Sequence, residues 1–137
     1  MKLAEILIVE DNPADRRMLG LFFDYNHFGN RIHYANNAAE AEQLLEQLTI
    51  DLIICDVNLP DESGIALAHK IKQGRHHAIP IVCLSGIADI EVLNLAERAS
   101  VTAFIEKPLN FDLLQELMQT LKFMYLGIMI DTDEVQS

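Results

Sequence analysis

The sequence predicts an α/β fold: a five-stranded parallel sheet, doubly wound, with helices on both faces. Three observations predict it. Five short runs rich in Ile, Val and Leu alternate with longer segments of helical spacing. The runs are apolar on successive residues, as strands covered on both faces are. Repeated strand-then-helix units imply parallel pairing through right-handed crossovers. The common order for five such strands is 2-1-3-4-5, with ligands bound beyond the carboxyl ends of strands 1 and 3, where the winding reverses.

Each element has its own warrant. The strands are expected over 3–9 (LAEILIV), 31–36 (RIHYAN), 51–55 (DLIIC), 79–84 (IPIVCL) and 101–106 (VTAFIE). The helices are expected over 13–26, 37–48, 63–73, 88–98 and 110–125. Pro13 suits a first helical turn. Asn37 with Glu40 resembles a capping box, with Asn in place of Ser or Thr. Gly74 sits at a helix end, and Asn110 is an N-cap for the last helix.

Composition narrows the function. A chain of 137 residues, half of them hydrophobic, buries the core of one domain and is not disordered. A formal net charge of -11 speaks against nucleic-acid binding, which needs a basic footprint. Cys55 and Cys83 lie inside strand-like runs and read as buried thiols of a reducing cytosol. The start, MKLAE, carries no signal peptide, and the run from Phe123 to Ile130 is too short to span a bilayer, so a cytoplasmic protein without membrane insertion is expected.

The strand ends carry the chemistry. Strand 1 ends in Glu10 and Asp11, strand 3 in Asp56, strand 4 in Ser85 and strand 5 in Lys107. Taken singly, each has a plain reading as a cap, a turn residue or a loop lysine. Taken together, they fall on the rim that the topology nominates for a ligand. Three carboxylates without nearby nitrogen or sulfur ligands suit a hard cation, and Mg2+ fits a site that keeps several waters. With that ion offsetting the acidic pair, and with Lys107 and Ser85 donating, a phosphoryl group can sit there. Asp56 would be the nucleophile, because carboxylates form aspartyl phosphates.

These residues resemble those of the receiver domain of two-component response regulators. The resemblance covers residues 3 to 124 and rests on VEDNPADR, CDVNLPDESG, CLSG and FIEKP, with Pro60 and Gly64 matching the loop after the acceptor. It implies the flavodoxin-like (βα)5 fold and a role for each position. Asp56 is the phosphoacceptor. Asp11 and Asp56 bind Mg2+ directly, with the backbone carbonyl of Asn58, and Glu10 reaches the ion through water. Ser85 bonds a phosphoryl oxygen, Lys107 pairs with the phosphoryl group, and Phe104 is the aromatic switch that follows Ser85. Ile87 and Asn58 occupy positions that influence dephosphorylation. The implied donor is a sensor histidine kinase or a histidine phosphotransfer protein, and the implied output is contact with a downstream protein target. Such a protein is a phosphoacceptor that acts on itself, not an enzyme with a separate substrate. A Lys aimed inward from a strand end needs a sharp reversal, so the Lys107–Pro108 bond is expected to be cis.

The receiver is expected over 1–124, followed by a C-terminal extension over 125–137 that is apolar and then acidic. The chain stops soon after its last helix, which reads as a stand-alone receiver; a receiver cut from a larger protein would look the same. Phe123 to Ile130 (FMYLGIMI) carries more apolar surface than one helix face can use. It either folds back on the domain or covers a partner, a homodimer among the options. Two rival readings have specific weaknesses. A haloacid-dehalogenase-type aspartyl-phosphate phosphatase needs a second Asp two positions after the nucleophile, where this chain has Asn58. A cofactor-binding module needs a neutral phosphate loop after strand 1, where this chain is acidic. A degenerate receiver acting only as a binding module is the remaining alternative, and the full set of Glu10, Asp11, Asp56, Ser85 and Lys107 speaks against it. His69, Lys70, Lys72, Arg75, His76 and His77 read as a solvated helix end. His27 and His33, flanking the turn before strand 2, carry no readable role.

Overall fold

The computed structural model describes residues 4–26, 30–86 and 90–121. In chain order the elements are β1 (Ala4–Val9), α1 (Pro13–Asn26), β2 (Asn30–Ala35), α2 (Ala38–Gln47), β3 (Leu52–Asp56), α3 (Gly64–Gln73), β4 (Ile81–Ser85), α4 (Ile90–Arg98), β5 (Ala103–Glu106) and α5 (Phe111–Leu121). All four strand pairings are parallel, and the sheet order is β2-β1-β3-β4-β5, as the sequence predicts. His27, Ile87, and the apolar segment 123–130 lie outside the described residues. Among the described residues no helix is long and apolar enough to cross a membrane.

The near-continuous apolar strands work because each feeds two cores. Leu7 and Val9 of β1, Ile53 and Cys55 of β3, and Ile81 and Cys83 of β4 face a cluster closed by Ala41, Leu45, Leu67 and Ile71 from α2 and α3. The alternate residues Ile6, Ile8, Leu52, Ile54, Val82 and Leu84 face a second cluster with Leu19, Phe22 and Phe23 of α1 and Leu114 of α5. A strand's period of two makes this division. Burying a Leu, Ile or Phe side chain contributes roughly 1.5–3 kcal/mol before the entropy cost of ordering it. Both cysteines are buried and free, as expected, and burial pushes the Cys83 thiol up to about 12, which keeps it protonated and inert.

Two helix starts, those of α2 and α5, are capped from the predicted side chains. Oδ1 of Asn37 accepts from the Glu40 amide at 2.8 Å. The Glu40 carboxylate returns the favour one residue early, to the Asn36 amide at 3.0 Å, so the box is displaced from the usual N-cap amide. Asn110 accepts from the amides of Asp112 and Leu113. Ahead of α1 the cap is Asn12, whose Oδ1 accepts from Ala14 and Asp15. Gly74 ends α3 at φ -110 and ψ -163, an extended conformation, so its position there does not rest on glycine's access to left-handed backbone.

Candidate functional site

The parity that divides the core continues past the strand ends. Glu10 follows Ile6 and Ile8, Asp56 follows Leu52 and Ile54, and Lys107 follows Ile105, all residues of the α1–α5 face. Val9 is paired with Cys55, so the next residues, Glu10 and Asp56, emerge side by side. The Lys107 amide donates to the Ser85 carbonyl at 2.7 Å, which ties the β5 exit to the end of β4. The Lys107–Pro108 peptide bond is cis, as expected.

The polar side chains brought together here are buried. Glu10 has no exposed surface, and Asp56 and Ser85 are 5% and 2% exposed. Asp11, the other half of the acidic pair, is exposed. Ligand oxygens of Glu10, Asp11 and Asp56 all lie within 4.8 Å of one another. The Lys107 ammonium sits among carboxylates, 2.8 Å from Oε1 of Glu10, 2.7 Å from Oδ2 of Asp15 and 3.4 Å from Oδ2 of Asp56. Oδ1 of Asp56 accepts from the Asn58 amide at 3.2 Å. Phe104 of β5 is half-buried, pairs in register with Cys83 and packs on the α2–α3 side of the sheet.

The electrostatics follow from that crowding. Burial, and next the neighbouring Asp56 side chain, push the Glu10 carboxyl up to about 8, against the opposing pull of Lys107. Burial works against the Lys107 charge, but its hydrogen bonds to Asp15 and Glu10 outweigh this and hold it protonated. Partial burial would raise Asp15, yet the Lys107 hydrogen bond brings its carboxyl below the ordinary value. One ammonium therefore faces three carboxylates, with Asp11 beside them.

That imbalance fits a divalent cation. Oε2 of Glu10 is buried and has no hydrogen-bond partner among the described residues. A buried acceptor left unpaired is costly, and a cation among three carboxylates removes both that cost and their repulsion. An all-oxygen donor set suits a hard ion.

The supporting loops were only partly legible in sequence. Glu10 is pinned at both backbone ends: its amide donates to Ala35 O at 3.0 Å, and Arg16 Nη2 donates to its carbonyl at 3.0 Å. Arg16 also bonds the Asn36 side chain and lies over the Tyr34 ring, 5.2 Å from its centroid. The loop after Asp56 doubles back through an Asn58–Ser63 bridge and a Gly64 amide bond to Val57 O. Gly64 is required there, because a Cβ would stand 2.1 Å from the Asp56 carbonyl oxygen. Asp61 reaches from this loop to cap α2, accepting from Ala38 and Ala39 at 2.9 and 3.0 Å. The basic cluster near the end of α3 is a surface feature, as expected: Lys70 pairs with Glu42 and Glu62, Arg75 with Glu46, and Lys72 donates to the carbonyls of His77 and Ile79. His33 meets Glu5 at 3.1 Å on the β1–β2 pairing, away from the site.

Comparison with known proteins decides the family. The model of the response regulator receiver domain matches residues 6–119. The chain belongs to that family. The receiver is 32% identical over 120 residues to the response regulator protein PilR of Pseudomonas aeruginosa, covering 88% of this chain and 26% of that protein. It is 27% identical over 113 residues to the sensor histidine kinase RcsC of Salmonella typhimurium, covering 82% of this chain and 12% of the kinase. The chain thus spans about a quarter or less of the length of these relatives. Among solved structures, a response regulator receiver protein from Pseudomonas putida superposes with a TM-score of 0.79 at 29% identity, covering 88% of this chain and 98% of that one. The receiver architecture and its acidic, metal-competent cluster are consistent with a phosphoaspartate site and a signalling role.

Proposed function

We propose that this receiver accepts a phosphoryl group on Asp56 from a phosphohistidine donor, in a magnesium-dependent reaction, and signals through a phosphorylation-dependent protein contact. The observation that carries the reading is the position of the Asp56 carboxylate, buried beside Glu10 and Asp11 and 3.4 Å from the Lys107 ammonium. An Asp56 oxygen attacks the phosphorus as the bond to the donor nitrogen breaks, and the nitrogen keeps the electron pair. Magnesium, when bound, neutralises the phosphoryl oxygens. Asp11, Asp56 and the carbonyl of Asn58 would hold it, with Glu10 acting through water. Lys107 supplies the fixed positive charge, and the Ser85 hydroxyl donates to a phosphoryl oxygen. Phe104, half-buried beside β4, is the side chain that would respond when Ser85 moves.

A sensor histidine kinase or a histidine phosphotransfer protein is the donor partner, in keeping with relatives that are themselves response regulators and sensor kinases. The protein is the acceptor of its own reaction rather than an enzyme turning over a separate substrate. Intact-mass measurement after incubation with acetyl phosphate tests the reading. The wild type should gain the mass of one phosphoryl group with magnesium and none with excess chelator. A wild type that stays unmodified with magnesium would instead support the binding-only receiver.

A further inference from the structure

We propose that Asp15 is the resting partner of Lys107, holding the ammonium off Asp56 until a phosphoryl group draws it away. The inference rests on the phosphoacceptor reading of Asp56 and adds a residue to it. Lys107 has three N–H donors and no acceptor. Its contacts at 2.7 Å to Asp15 and 2.8 Å to Glu10 are hydrogen bonds, whereas the 3.4 Å approach to Asp56 lies beyond the normal N–H···O range. The shorter bonds therefore set where the ammonium rests.

Asp15 is built to hold that place. It sits in the first turn of α1, and its own amide donates to the Asn12 side chain that caps the helix. Its carboxylate, a quarter exposed, meets Lys107 across 92 residues of chain. A phosphoryl group on Asp56 would put new anionic oxygens beside Lys107, and the ammonium must leave one partner to serve them. Glu10 is wholly buried, so a bond to Lys107 lost there is not replaced from bulk solvent. Asp15 can be rehydrated at once, so it is the partner that gives way. Asp15 is a positioning residue: it acts through Lys107 and does not touch Asp56's reacting oxygen.

Asp15→Asn keeps the shape and removes the charge. Two titrations separate positioning from a general loss of structure. At saturating magnesium, trifluoroberyllate, a phosphoryl stand-in on aspartate, should bind Asp15→Asn roughly three- to fivefold more tightly than wild type, the scale of a part-exposed ion pair. Magnesium alone should bind it more weakly, because one carboxylate is gone and Lys107 is free to compete for Asp56. Asp15→Glu, which keeps the charge, should return both affinities toward wild type. In metal-free crystals of Asp15→Asn, Lys107 Nζ should close to hydrogen-bond distance from Asp56. Should Asp15→Asn fail to fold, Asp15→Ser carries the same titrations. Equal or weaker trifluoroberyllate binding by a folded variant, with wild type binding normally, overturns the role of Asp15 and leaves the acceptor site standing. Failure of wild type itself to bind trifluoroberyllate overturns both.

Discussion

The Lys107 ammonium lies 2.8 Å from Oε1 of Glu10, a carboxylate with no exposed surface, across 97 residues of chain. The pair joins the first strand's exit to the last strand's exit and closes the rim that the site occupies. It leaves Glu10 Oε2 without a hydrogen-bond partner among the described residues, so one lysine does not satisfy the acidic cluster.

The pair predicts how metal-free stability depends on pH. Glu10 holds its proton up to about 8 in the fold, against an ordinary 4.5. Its contribution to stability is full below 4.5, where folded and unfolded chains are both protonated, and is lost as pH rises toward 8. Asp15, with a lowered value, acts in the opposite sense, but its contribution disappears only at acid pH below that window. The Tm of the metal-free protein should therefore fall between pH 5 and pH 8, and Glu10→Gln should flatten the fall. A slope in Glu10→Gln as steep as in wild type would contradict the assignment.

Much of this was legible before the structure, because strand-end position is a sequence property once the topology is known. Glu10, Asp56 and Ser85 each directly follow, or close, an apolar run, Lys107 stands one residue past one, and the sheet order brings the runs together. What could not be read was side-chain reach. Asp15 in a first helical turn is an ordinary partner for a helix dipole, and nothing local announces Lys107. Asp61 looks like a loop carboxylate until α2 is seen starting beside it. Arg16 shows its purpose only when Glu10's carbonyl and the Tyr34 ring lie within its reach.

Magnesium affinity should separate the two members of the acidic pair. Asp11, exposed beside the buried carboxylates, is the direct ligand in the proposed site, and Glu10 acts through water. Isothermal titration of Asp11→Asn and Glu10→Gln should show the larger loss for Asp11→Asn. Equal losses, or a larger one for Glu10→Gln, would reverse the assignment of roles.

Gly64→Ala should damage the fold and the site together. The new methyl would meet the Asp56 carbonyl oxygen at 2.1 Å, so the backbone of the acceptor loop must move. Overpacking of this kind costs about 1–3 kcal/mol, and more where backbone rather than a side chain must give way. Denaturant melts should show that loss, and magnesium affinity should fall with it. A variant of unchanged stability would mean that the loop does not pack as described.

Removal of the residues after Lys122 tests the proposed division between receiver and C-terminal extension. If the apolar run from Phe123 to Ile130 is a contact element, the shortened protein keeps its melting temperature and its phosphorylation but loses self-association or target binding. A markedly lower melt with unchanged oligomeric state, read by light scattering, would assign the segment to the core instead.

The most direct measurement of the central claim is chemical trapping of the acceptor. Borohydride reduces an aspartyl phosphate to homoserine, which peptide mass spectrometry can place. After reaction with acetyl phosphate and magnesium, homoserine should appear at position 56 alone, and Asp56→Asn should yield none. Homoserine at Asp11 or another carboxylate of the wild type, or continued labelling of Asp56→Asn at the wild-type rate, would contradict the account.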